Sequence, residues 1–253
     1  MRKARTIVFL LAAATGVAAH GDGARAESRP CRAMEYERNA YTVCEVDLRK
    51  HTVRLYWKRS DGTPYAYLSA LPRALEGEAG KLLFATNAGM FDPALKPVGL
   101  YVEQGRELVH VSTKSGYGNF HMKPNGVFYV TGDGAAVAET RAFLKQRPRT
   151  ALATQSGPML VSAGVIHPGL NPQGTSRNIR NGIGVMNANE VVFAISDEPV
   201  TFYEFALLFR DRLKCPDALY LDGSVSSMFV RSLGRDDEHS SIGPIIGVTV
   251  PAH

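Results

Sequence analysis

The chain has 253 residues, 45% of them hydrophobic and 21% charged, with a formal net charge of +5. That length and apolar content support a sizeable buried core and exclude an intrinsically disordered chain. The first 26 residues carry Arg2, Lys3, Arg5 and Arg25 against Asp22 alone, so without them the balance falls to +2; with no basic run, this excludes a nucleic-acid footprint.

Those cations, the apolar run over 6–19 and the small-residue site Ala24-Arg25-Ala26 have the order of a secretory signal peptide. They predict removal of residues 1–26 and a mature chain starting at Glu27. The run is too short to cross a bilayer, and no later segment approaches the ~20 apolar residues that a spanning helix needs. The expectation is a soluble periplasmic or secreted protein without stable membrane insertion. Residues 27–253 are expected to form one domain, because no linker, repeat or low-complexity stretch divides them. An oxidising compartment permits one disulfide among Cys31, Cys44 and Cys215; Cys31–Cys44 is close in sequence, and Cys44–Cys215 is equally allowed.

Residues 41–47 and 51–57 read as a strand pair, with Val53, Leu55 and Trp57 alternating with polar residues, ahead of a turn at Asp61-Gly62. A short apolar strand over 81–86 runs into Asn87-Ala88-Gly89-Met90-Phe91-Asp92. Strands over 98–103 and 106–111 flank Gln104-Gly105 as a hairpin, and 126–130 is a further strand. Residues 139–146 have the composition of a short helix, closed off by Pro148. The stretch 154–161 follows, then a Pro/Gly/Asn-rich loop over 167–178 and paired strands over 183–186 and 191–195. Phe202, Phe205, Ala206, Phe209 and Leu213 recur at helical spacing behind a capping box made by Thr201 and Glu204, which predicts one amphipathic helix. The apolar run Ala218-Leu219-Tyr220-Leu221 stops at Asp222-Gly223-Ser224, and 243–250 is a final strand. The pattern predicts an α+β fold: a strand-rich mixed α/β domain with two main helices and an active-site cleft at strand ends.

No zincin, Cys-x-x-Cys, P-loop, dinucleotide or nucleophile-elbow motif is present, and the histidines lack metal-ligand spacing. No metal or cofactor is therefore expected. What remains is a set of polar residues at the ends of apolar runs: Asn87, Asp92, Gln155, Ser156, Arg180, Asn181 and Asp222. Amides bind hydroxyls, carboxylates serve as acid and base at an anomeric carbon, and a guanidinium fork grips phosphate. Each has a structural competitor. Asp222-Gly223 could be a plain turn, Asp92 precedes Pro93 where Asx-turns are common, and Arg180 could belong to a surface pair.

Five motifs stand in order over residues 84–228. They are Asn87-Ala88-Gly89-Met90-Phe91-Asp92, Pro97-Val98-Gly99-Leu100, Gln155-Ser156-Gly157-Pro158-Met159-Leu160-Val161, Arg180-Asn181-Gly182-Ile183-Gly184 and Leu221-Asp222-Gly223-Ser224-Val225-Ser226-Ser227. In these the chain resembles the bacterial phosphodiester glycosidase family, which takes in the catalytic domain of N-acetylglucosamine-1-phosphodiester α-N-acetylglucosaminidase. The resemblance implies a mixed α/β fold with the motifs gathered at one cleft, and hydrolysis of a sugar-1-phosphodiester at its glycosidic carbon. The chain departs from the family pattern at Ser224, commonly Gly, and at Asn181, usually a small or hydroxyl residue.

The expected partner is a phosphate-linked sugar or glycan. Asp222 is expected to be the base or nucleophile, and Asp92 to bind a substrate hydroxyl or supply a proton. Arg180 is assigned to the phosphate, while Asn87, Gly89, Gln155, Ser156, Asn181, Gly223, Ser226 and Ser227 are expected to complete the substrate-binding set. Glu204 is excluded, because its capping bond accounts for it. The alternative is a non-catalytic envelope glycan-binding protein on the same fold, which would need amides and an aromatic platform such as Tyr117, Phe120 and Phe128.

Overall fold

The computed structural model describes residues 30–75 and 81–251, so the expected signal peptide lies outside the described residues. β1 (Cys31–Tyr36) and β2 (Asn39–Asp47) form a hairpin that sets Cys31 opposite Cys44, and these two cysteines are disulfide-bonded. Cys215 is a buried free thiol. β3 (Thr52–Tyr56) and the short helix α1 (Ala70–Ala74) precede β4 (Leu82–Asn87). The hairpin of β5 (Tyr101–Glu103) and β6 (Arg106–Val109) turns through Gln104-Gly105 as expected. A second hairpin, β7 (Gly126–Thr131) and β8 (Gly134–Glu139), leads into α2 (Thr140–Gln146), whose first turn is capped when Glu139 accepts the Ala142 N–H.

β9 (Leu152–Ser156), β10 (Met159–Ser162) and β11 (Val165–Ile166) follow, then the hairpin of β12 (Asn181–Asn187) and β13 (Glu190–Ser196). α3 (Phe202–Leu207) opens with the Thr201–Glu204 capping box and continues as a π-helical turn, Leu208–Arg212. The chain ends in β14 (Asp217–Tyr220), β15 (Met228–Val230), β16 (Arg235–Asp236) and β17 (Ile245–Thr249).

The strands form three sheets in the orders β1-β2-β13-β12-β14-β10-β11, β16-β15-β4-β17-β3 and β6-β5-β9-β7-β8. All three share one hydrophobic core, where Phe193 of the first sheet meets Phe84 of the second and Phe128 of the third edge-on, at 5.2 and 6.5 Å. The opposite face of the seven-stranded sheet is covered by α3 and its π turn, with Phe205 stacked near Tyr41 at 6.3 Å. The fold is thus strand-rich and mixed. Both expected helices are present, and α1 is an additional short one.

One expected pairing is wrong. β2 does not pair with β3; its neighbours are β1 and β13, while β3 pairs with β17. The reason is burial on both faces. Tyr41 and Val43 of β2 pack toward α3, while Cys44 and Val46 point into the shared core, so β2 takes an interior place in a layered sheet.

Candidate active site

Three strand ends from two sheets meet in one hydrogen-bonded knot. β4 ends at Asn87, β12 begins at Asn181, and β14 stops at Tyr220, two residues before Asp222. Asn87 Nδ2 donates to the Asp222 carbonyl at 2.9 Å, and Asn181 Nδ2 donates to Asn87 Oδ1 at 2.9 Å. The Ser227 N–H also donates to Asn87 Oδ1 at 2.9 Å, and Ser226 Oγ donates to Asn181 Oδ1 at 3.1 Å. All four side chains are buried, so each bond satisfies a group that water cannot reach. These bonds, among residues expected to bind substrate, hold the loop that carries Asp222.

Asp222 itself is 9% exposed. Its Oδ1 accepts the Ser224 N–H at 3.1 Å, opening the short 3-10 turn Gly223–Val225. Burial raises its carboxyl above the ordinary value, opposed by the bonds from Ser224. Gly223 is required for close approach, because a Cβ there would collide with the Tyr220 hydroxyl. Asp222 and Ser224 line a surface cleft of about 380 Å³ together with Met90, Phe91, Tyr117 and Phe120. His121 adds an imidazole to the same wall.

Asp92 does not line this cleft with Asp222. Its Oδ1 accepts the N–H groups of Ala94 at 2.9 Å and Lys96 at 3.0 Å, so the competing Asx-turn reading describes it. Gln155 is likewise committed within the protein. Its Oε1 accepts from Leu100 and Ser112, and its Nε2 donates to the Ser112 carbonyl and Thr140 Oγ1. Gly89 lets its loop lie against β9, since a Cβ would run into the Gln155 carbonyl. Ser156 Oγ is buried without a hydrogen-bond partner among the described residues.

Arg180 is buried rather than open to a ligand, at 1% exposure. Its Nε donates to the Val200 carbonyl at 2.9 Å and one terminal nitrogen to the Ser176 carbonyl at 3.1 Å; the other reaches the Tyr220 hydroxyl at 3.4 Å. The guanidinium lies 3.6 Å from the Phe202 ring centre. No carboxylate among the described residues pairs with it, and burial pulls its pKa below the ordinary arginine range. Tyr220 is pushed up to about 12 by burial, against the pull of Arg180.

Of the expected aromatic platform, Tyr117 and Phe120 line the cleft, whereas Phe128 is wholly buried in the shared core. Residue types alone did not mark Met90, Phe91, His121 or Tyr220. Met90, Phe91 and Tyr220 do lie within or beside the quoted motifs, and that adjacency was their signal. Among the described residues, no group of three or more His, Cys, Asp or Glu side chains could hold a metal ion.

Known proteins resemble this arrangement. The Escherichia coli K12 protein named "Uncharacterized protein YigE" is 38% identical over 192 residues, covering 76% of this chain and 74% of that one. The zebrafish N-acetylglucosamine-1-phosphodiester alpha-N-acetylglucosaminidase catalytic domain, auto-inhibited by its pro-peptide, superposes with a TM-score of 0.60 at 15% identity, over 86% of this chain and 81% of that one. A hypothetical protein from Synechocystis gives 0.53 at 15% identity, over 87% and 61%. These two likenesses concern the fold. The family profile described as phosphodiester glycosidase matches residues 80–249, a span that holds all five motifs and the whole hydrogen-bonded knot beneath Asp222. With most of its length matched in this way, the chain belongs to the phosphodiester glycosidase family.

Proposed function

We propose that this protein is an exported hydrolase that cleaves the glycosidic bond of a sugar-1-phosphodiester in an envelope or extracellular glycan. The observation that carries this reading is Asp222, a largely buried carboxylate at the wall of a cleft, oriented there by Ser224. In this role the Asp222 carboxylate takes a proton from the attacking water, or attacks the anomeric carbon to form a glycosyl ester that a water molecule then hydrolyses, freeing the sugar and the carboxylate. The bond from that carbon to the phosphate oxygen breaks with its electron pair on the phosphate. A phosphate monoester is a weak base and leaves without a proton, so its departure needs no general acid.

Arg180 then acts as a positioning residue. Its unbalanced cation stands behind the Asp222–Gly223 turn through Tyr220, which favours an anionic group in front of that turn. The Cys31–Cys44 disulfide supports a place outside the reducing cytoplasm. The second reading, a glycan-binding protein without chemistry, is favoured by Tyr117, which lies fully exposed beside the cleft as a stacking surface. A release assay on a panel of sugar-1-phosphodiesters and plain glycosides separates the two. The hydrolase reading expects sugar release from the phosphodiesters, abolished in Asp222→Asn; binding without release by the parent protein would favour the second.

A further inference from the structure

A hollow of about 860 Å³ lies away from Asp222. Four cationic side chains line it: Lys58, Arg59, Lys96 and Arg106. All four are exposed, and none forms an ion pair with a carboxylate among the described residues. Glu103 is the one carboxylate in the lining. It accepts the Tyr101 hydroxyl at 2.8 Å, so four cations face a single carboxylate whose one oxygen is already engaged. Lys58 Nζ sits 4.3 Å from the Trp57 ring centre, and Trp57 borders the same hollow.

This hollow is joined to the cleft by one piece of chain. Met90 and Val98 are hydrogen-bonded at the base of a hairpin-like loop, and both line the cleft with Asp222. Phe91 and Pro97 bridge the next level, and Asp92 closes the tip by accepting the Ala94 and Lys96 N–H groups. Ala94 and Lys96, from that tip, line the basic hollow. A ligand seated against Asp222 therefore needs only to follow this short loop to reach four unpaired cations.

We propose that the hollow formed by Lys58, Arg59, Lys96 and Arg106 is a second, anion-binding site for phosphate groups of the ligand that lie beyond the one joined to the sugar. Its concave shape and shared hairpin favour a distal part of the cleft's own ligand over a flat membrane surface. The site's anion affinity stands apart from the hydrolase reading; the identity of the natural ligand rests on it.

Trp57 is the single tryptophan of the chain, so its fluorescence reports on this hollow directly. The test titrates the full-length protein with inorganic tripolyphosphate, followed by tryptophan fluorescence and by calorimetry. A saturable signal is expected that weakens with added salt. It should weaken about tenfold or more in the Lys58→Gln, Lys96→Gln, Arg106→Gln triple variant, with melting temperature as the control for folding. The signal should persist in Asp222→Asn. No saturable heat, or equal affinity in the parent and a folded triple variant, would overturn the proposal. Absence of sugar release from every phosphodiester, with tripolyphosphate still bound in this way, would overturn the hydrolase reading and leave the second site standing.

Discussion

Asn181 of the seven-stranded sheet clamps Asn87 of a five-stranded sheet. Its Nδ2 lies 2.9 Å from Asn87 Oδ1, 3.0 Å from Thr86 Oγ1 and 3.2 Å from the Asn87 carbonyl, while Asn87 in turn holds the Asp222 carbonyl. An amide is what these three acceptors require. A carboxylate in its place would face acceptors with no proton to offer. Asn181→Asp should therefore cost about 3–5 kcal/mol and Asn181→Ala only about 1–3 kcal/mol, measured by urea unfolding. An aspartate variant as stable as the alanine variant would show that the clamp does not depend on the amide protons.

Burial raises the Asp222 carboxyl, so the folded chain holds this proton more tightly than the unfolded chain does. The stability due to that proton is present below the ordinary carboxylate value and is lost as pH rises through the raised one. Asp222→Asn keeps the oxygen that accepts from Ser224 and has no such proton to lose. Its melting temperature should exceed the parent's at neutral pH, and the gap should close in acid. Sugar release should fall by several orders of magnitude in the same variant, and in the parent it should rise with pH through the raised value. Identical melting curves at both pH values would rule out the buried charge as a source of instability.

Asp92 offers a contrast. Because its carboxyl organises the Ala94 and Lys96 N–H groups, Asp92→Asn should be nearly silent and Asp92→Ala should cost about 0.5–2 kcal/mol. The loss should appear in thermal unfolding, with kcat little changed. A large fall in kcat in a stable Asp92→Asn protein would restore the paired-carboxylate scheme.

Arg180→Lys keeps the charge but loses the fork that spans Ser176, Val200 and Tyr220, together with the flat contact on Phe202. We expect a loss of about 2–4 kcal/mol in chemical denaturation, without added ligand. Unchanged stability with weakened substrate binding would mean that the guanidinium serves the ligand alone.

The sequence carried the local structure well and the long-range structure poorly. The hairpins β5–β6 and β12–β13, the capped helix at Thr201 and the final strand were legible, because turn residues, capping boxes and apolar periodicity act between near neighbours. β1 was missed because Arg32, Ala33 and Glu35 dilute its pattern; its place depends on β2 and the disulfide. The pairing of β2 with β13 joins Asp47 to Glu190 across most of the chain, and no periodicity specifies such a partner. In the site, Asp222 was visible as a carboxylate ending an apolar run. What separates it from Asp92 is that Asp222 is buried at the wall of the cleft, while Asp92 organises a turn outside it, and that follows from loop geometry rather than residue type. Asn87, Asn181 and Gln155 were recognised as special residues, but composition could not tell a strut from a ligand contact.

β17 occupies the interior of its sheet, between β4 and β3, although it is the last described strand. β3 and β4 do not touch in the ladder except through it, and its residue Ile245 is the register partner of Asn87. The consequence concerns timing. A chain growing from its N-terminus can close the β1–β2 hairpin early, but it cannot zip β3 to β4 or seat Asn87 against its neighbour until residues 245–249 have emerged. The loop that carries Asp222 is thereby assembled only once β17 has emerged, and a chain interrupted shortly before β17 carries every proposed catalytic residue without the ladder that holds them together.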